Sequence, residues 1–189
     1  MSALASLFGK ESLIGLDIGS ANLKAVQVEA TKDSFRIIRA AMQKTPDGAV
    51  RDGIVIDRDA VAGALRQMLR AAGISANGAV MAVSGPTVTV RQIQMPKMNE
   101  AALRRSARYE AAKYISSNID DASLAFDILG VAPDEPNQMD VMLVAAPSEM
   151  VDSRVDTVER AGLEAVCALW STWELLIRKS PFSRGRLSR

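Results

Sequence analysis

The chain has 189 residues, 48% apolar and 24% charged, which is ordinary for a globular protein able to bury a good core in one or two small domains. A net charge of +1 and an aromatic content of 4% provide neither the basic footprint nor the stacking platforms of a nucleic-acid binder. The absence of histidine closes Ser/His and Cys/His nucleophile pairs, His-ligated zinc and imidazole acid/base chemistry to this chain.

Residues 1–11 carry Leu4, Leu7 and Phe8 but neither a charged leader nor a long apolar stretch, so they do not read as a secretory signal. Three strands are predicted next, over residues 13–18, 23–29 and 34–42, the first two joined by the turn Gly19-Ser20-Ala21-Asn22. Thr45-Pro46-Asp47-Gly48 marks a turn. Asp57 then caps a helix whose apolar positions Val61, Ala64, Leu65, Met68 and Leu69 share one face, and Gly73 ends it. A strand follows over 79–84. An antiparallel meander, a helix and then a strand near the sheet centre is how a ribonuclease-H-like half-domain begins.

A second unit follows. Residues 87–94 alternate as a strand closed by Pro96, and Asn99 caps a helix through 115 that places Leu103, Ala107, Ala111 and Tyr114 or Ile115 on one face. Residues 123–130 and 139–146 read as strands around a loop carrying Pro133 and Pro136. Ser148 caps a helix to 161, Gly162 stops it, 164–170 reads as a strand and 171–179 as a last helix. The apolar run 165–170 is far short of the roughly 20 residues a spanning helix needs, so no membrane crossing is expected. The lone Cys167 excludes an internal disulfide and reads as a small core residue in a reducing compartment. Residues 180–189 hold Pro181, Gly185, three serines and three arginines, and are expected to be disordered.

The run from Leu16 through Asp17, Gly19, Ser20, Asn22 and Lys24 to Val26 carries the most chemistry. It resembles the first phosphate-binding hairpin of actin-like and sugar-kinase-like proteins, written D-x-G-S-x-x-x-K-A. Gly19 permits a tight turn whose successive N–H groups form an anion-binding concavity, and Ser20 and Asn22 add donors. In the roles this resemblance implies, Lys24 brings a point charge suited to phosphate, and Asp17 holds water around a magnesium ion that keeps most of its own hydration.

Further stretches resemble the PilM family of type IV pilus assembly proteins, in the actin-like, FtsA-like ATPase superfamily. They are Ala82-Val83-Ser84-Gly85, residues 88–94, Met95-Pro96-Lys97-Met98 and Arg108-Tyr109-Glu110-Ala111-Ala112-Lys113-Tyr114-Ile115. The last is similar to an R-W-E-A-x-x-Y-I helix that opens the family's inserted subdomain. Residues 120–130 and 142–147, Leu7-Phe8-Gly9-Lys10 and Gly162-Leu163-Glu164 continue the likeness, which spans residues 7–175. It implies an α/β fold: a ribonuclease-H-like, actin-like half-domain with an inserted FtsA-like α+β subdomain. The boundaries expected are 1–86 for the first subdomain, 87–164 for the insert, 165–180 for the return to the first and 181–189 for a basic tail.

By this resemblance the chain is a cytoplasmic scaffold at the inner face of the inner membrane. It would capture the tail of a bitopic PilN-like partner in a groove between the first and inserted subdomains, without turnover. Arg108, Tyr109 and Tyr114 are the partner-binding candidates, and Asp17, Gly19, Ser20, Asn22 and Lys24 the candidates for ATP or ADP with magnesium, Asp17 touching the metal through water. No catalytic residue is assigned. The alternative is an actin-like ATP-binding protein or ATPase, similar to FtsA or to the type II secretion protein GspL. Two departures stand out. Ser116-Ser117 replace the family's proline and aromatic residue, and nothing after Trp170 resembles the second phosphate hairpin or the adenosine motif. The sequence thus reads as the first half of such a protein, with a weakened nucleotide site and an exposed inter-lobe surface through which copies associate.

Overall fold

The computed structural model describes residues 13–30, 35–83, 85–115 and 119–169. The opening segment, Ser116-Ser117, Trp170, Trp173, the expected helix over 171–179 and the tail lie outside the described residues.

Alternation of side chains dictates the first sheet. Strand β1 (Leu13–Ile18) turns back into β2 (Asn22–Ala30), which pairs with β3 (Phe35–Lys44), all antiparallel. A small hairpin follows, β4 (Val50–Arg51) and β5 (Ile54–Val55), then helix α1 (Arg58–Ala71) and strand β6 (Gly78–Val83), which runs parallel to β1. On one face Ile14, Leu16, Ile18, Leu23, Ala25, Ala79 and Met81 are buried in one core with Val61, Leu65, Met68 and Leu69 of α1. These α1 positions recur at helical spacing, so a single apolar stripe meets the sheet. Asp57 caps α1 as expected, its side chain accepting from the Ala60 amide at 2.9 Å.

The β4–β5 hairpin is absent from the sequence reading, although its signal is Asp52-Gly53 between Val50-Arg51 and Ile54-Val55. Asp52 has φ +50° and Gly53 φ +81°, the conformation that an Asp-Gly two-residue turn supplies. Two strands of two residues are too short for period-2 alternation to register.

The second unit spans Ser84–Glu149. Its sheet has the order β7-β9-β8, from β7 (Thr89–Pro96), β8 (Ala122–Ala132) and β9 (Glu135–Pro147), all antiparallel. Helix α2 (Glu100–Ala111), capped by Asn99, buries Leu103, Ala107 and Ala111 against Ile93, Met95, Met139, Val141 and Leu143. Its α-helical part ends at Ala111, short of residue 115, and the amides of Lys113 and Tyr114 bond three residues back in a tighter turn. The proline-bearing stretch is a two-residue turn instead of an extended loop. Ala132 pairs Glu135 around Pro133-Asp134, and Pro136 falls where the register shifts, so its missing N–H interrupts no regular ladder.

Helix α3 (Ser148–Arg160) leads into β10 (Glu164–Leu169), which completes the first sheet as β10-β6-β1-β2-β3. The chain rejoins the first unit at Met150, where residue 165 was the expected point of return. The reason is the face that α3 buries. Met150, Ser153, Arg154, Thr157 and Val158 are buried, and Val158 lies in the first core. Ser153 Oγ accepts the Val55 amide at 3.1 Å, and Arg58 pairs with Asp156 at 3.0 Å and Arg160 with Asp59 at 2.8 Å. Among the described residues no helix is long and apolar enough to cross a membrane.

Leu65 is fully buried at the centre of the α1 stripe, whereas Ile56 is 60% exposed. Leu65→Ala is expected to cost about 2–5 kcal/mol through lost transfer energy and a residual cavity, and Ile56→Ala less than about 1 kcal/mol. Urea midpoints of the two variants, compared at equal slope, check the contrast.

Candidate functional site

The hairpin that joins β1 to β2 places Asp17 and Lys24 directly opposite one another in the antiparallel register. Both occupy positions that alternate away from the buried residues Leu16, Ile18, Leu23 and Ala25, and both are exposed. Their side chains meet, Lys24 Nζ donating to Asp17 Oδ2 at 3.0 Å, with 54% and 61% of the respective side chains exposed. In water such a pair contributes little to stability, but it occupies both charges.

The turn itself is closed on its own backbone. Gly19 N–H donates to the Asn22 carbonyl at 3.0 Å, so this amide is engaged inside the turn. A Cβ at Gly19 would lie 2.9 Å from the Asn22 carbonyl oxygen, a backbone atom with little freedom to yield, and this explains the glycine. Ser20 and Ala21 are exposed at the tip, and Asn22 is half-buried opposite Lys44.

Two residues that the sequence reading left out fix the turn. Thr45, only 2% exposed, donates from Oγ1 to the Gly19 carbonyl at 2.7 Å and from its amide to the Ala21 carbonyl at 3.0 Å. Arg154, also buried, donates from a guanidinium nitrogen to the Ile18 carbonyl at 2.9 Å. Thr45 was visible in the sequence as the start of Thr45-Pro46-Asp47-Gly48. Arg154 lies 136 positions from Ile18 and left no local signal.

The second lysine beside the turn is engaged as well. Lys44 Nζ lies 2.7 Å from Asp47 Oδ1, and its hydrogen bond, then its charge, hold the Asp47 carboxyl below the usual carboxylate range. The donor set is therefore chemically suited to phosphate, with two ammonium groups and a hydroxyl at the tip, but each ammonium already has a carboxylate. For magnesium the hairpin offers Asp17 alone, and no group of three or more His, Cys, Asp or Glu that could hold a metal occurs among the described residues.

The three partner-binding candidates all lie in the second unit. Arg108 pairs with Asp120, whereas Tyr109 is 74% exposed and Tyr114 lies beyond the end of α2. Tyr109 instead shares a shallow depression with Met95, Pro96, Met98, Arg105, Ser106 and Glu110. Lys113 Nζ stands 5.5 Å from the Tyr109 ring centroid and is tied to Glu110 at 2.7 Å, a hydrogen bond that raises the lysine's pKa. Arg104 stacks over Phe126 at 5.6 Å. The three arginines of α2 therefore face different partners, and only Arg105 borders the depression. Met98 and Arg105 join Tyr109 because β7 ends at Pro96 and the chain bends there into α2, which spacing within α2 alone does not reveal.

The profile of the family described as type IV pilus assembly protein PilM matches residues 15–169. Among solved structures, a chain of a PilM–PilN type IV pilus biogenesis complex is similar at 31% identity with a TM-score of 0.73, over 84% of this chain and 46% of that one. The cytoplasmic domain of EpsL, an inner-membrane component of the type II secretion system of Vibrio cholerae, shares the fold at 12% identity and a TM-score of 0.53, over 82% of this chain and 55% of that one. The chain thus spans about half the length of each. The expected α/β half-domain with an inserted subdomain agrees with both matches. From residue 15 to residue 169, across both units, the chain belongs to the family of type IV pilus assembly protein PilM.

Proposed function

We propose that this chain is a non-catalytic adaptor of the type IV pilus assembly platform at the cytoplasmic face of the inner membrane. It captures the cytoplasmic tail of a PilN-like membrane partner. The observation that carries the reading is the exposed Tyr109 over an apolar floor of Met95, Pro96 and Met98, with Arg105 at its rim. A large aromatic ring left in water beside methionines and an arginine is the composition of a binding hot spot, and methionine adapts its shape to a peptide. The similarity to a chain solved in a PilM–PilN complex supports the class of partner.

The hairpin supports the adaptor reading over turnover. A nucleotide phosphate has to draw Lys24 from Asp17, and the turn amide of Gly19 is already committed to Asn22. An ATP or ADP molecule with magnesium bound here is held by an exposed lysine and one carboxylate, which is a weak site.

Isothermal titration of the chain with a peptide of the cognate partner's cytoplasmic tail is expected to show saturable binding. Tyr109→Ala weakens it tenfold or more, roughly 1.4 kcal/mol, while Arg108→Ala, whose guanidinium is already paired with Asp120, changes it by less than about threefold. Absence of saturable binding removes the proposal.

Lys24→Ala is expected to abolish whatever binding a fluorescent ATP analogue shows. It leaves tail-peptide affinity within about twofold, the range expected for independent sites on separate hydrophobic cores.

A further inference from the structure

We propose that β8 takes an extended segment of another protein along its outer edge, a segment in which apolar and basic residues alternate. In the order β7-β9-β8, the strand beside β8 is β9, on one side alone among the described residues. A sheet edge presents a row of N–H and C=O groups to any strand that approaches, and charged residues or proline ordinarily blunt it. Strand β3, an edge of the first sheet, carries Arg36, Arg39 and Lys44, and β7 carries Arg91 and ends on Pro96. Over its 11 residues β8 has a single charge, Asp127, and no proline.

The side chains on each face of this sheet define what an added strand must carry. On the α2 side the cross-strand rows Ile93–Val141–Ile128 and Met95–Met139–Val131 are buried in β7 and β9 and open at β8, where Ile128 is 45% and Val131 50% exposed. The core under α2 holds the β7 and β9 members of both rows and does not include these two. Apolar side chains of one more strand would continue both rows. On the opposite face Asp127 and Asp140 lie in adjacent rows, paired with Met142 and Gly130 respectively. Asp127 Oδ1 accepts the Ile128 amide at 3.1 Å, which fixes the carboxylate beside the edge. Among the described residues nothing donates to the buried Oδ1 of Asp140, a costly state for an acceptor. Gly130 stands between Asp140 and the edge, and a Cβ there would meet nothing within 4 Å, so no side chain bars an approach from outside. An added strand lies two strand spacings from β9, about 10 Å, a gap that Asp140 and a lysine or arginine reaching over Gly130 close together. From Tyr114 through Pro147 the sequence has Asp120, Asp121, Asp127, Asp134, Glu135 and Asp140 and no Lys or Arg. This field draws a basic segment, whereas the β8 of a second copy would set one acidic strand against another. Main-chain hydrogen bonds along the edge then supply affinity, and the alternating side chains supply selectivity.

The probe is a blocked, fluorescein-labelled peptide of four Val-Lys repeats, titrated with the full chain and followed by anisotropy. Saturable binding is expected, with amide hydrogen exchange slowed in β8 and unchanged in β7. Peptides of Ser-Lys and of Val-Glu repeats, each keeping one of the two features, bind severalfold more weakly. Asp127→Asn and Ile128→Ser each weaken the Val-Lys peptide severalfold, with far-UV circular dichroism still that of the folded chain, and Tyr109→Ala leaves it unchanged. Ile128 is exposed, so its variant keeps the test decisive where Asp127→Asn fails to fold. Absence of saturable binding overturns the proposal, as do equal binding of the Ser-Lys peptide, indifference to both β8 variants, and loss of binding in Tyr109→Ala. Exchange in β8 that slows with protein concentration in the absence of peptide also overturns it, because a second copy of the chain then occupies the edge.

Discussion

Ile18 and Gly19 sit where two distant parts of the chain are tied to one corner of backbone that is also closed on itself. Arg154 of α3 holds the Ile18 carbonyl, Thr45 holds the Gly19 carbonyl, and the Asn22 carbonyl holds the Gly19 amide. A buried guanidinium is costly to desolvate, so its bond to the Ile18 carbonyl offsets part of that cost. The register that follows from this corner sets Ile14, Leu16, Leu23 and Ala25 against the helices and turns Asp17 and Lys24 to the other side. Slipping it by one residue would exchange the two faces and place a carboxylate and an ammonium in the core.

Charge around the hairpin is arranged in closed pairs, Lys24 with Asp17 and Lys44 with Asp47. Such pairs on exposed side chains are readily opened, so they set which ligands compete well more than they set stability. The second unit shows the opposite arrangement, with an exposed aromatic ring over apolar side chains and its neighbouring charges tied off by Asp120 and Glu110.

The insertion of Ser84–Glu149 into the first unit has a simple mechanical basis. The chain leaves after β6 and returns in α3, whose buried side chains belong to the first core and whose salt bridges reach α1. Each unit keeps its own hydrophobic core, so changes at Tyr109 and changes at Lys24 act on separately packed bodies.

Period-2 alternation, the Asp57 and Asn99 caps and the apolar stripes of α1 and α2 are local, and the sequence by itself determined these elements, the half-domain they begin and the hairpin from Asp17 to Lys24. These features depend on neighbours within a few positions, which is the range over which spacing carries information. Only the tertiary structure decided that Asp17 and Lys24 neutralise each other, that Arg154 and Thr45 hold the turn, that α3 belongs to the first unit and that Tyr109 lies with Met98 and Arg105 while Arg108 does not. Each of those outcomes depends on strand register, on a long-range hydrogen bond or on which face of a helix meets a core, and these are contacts between residues that no local pattern brings together.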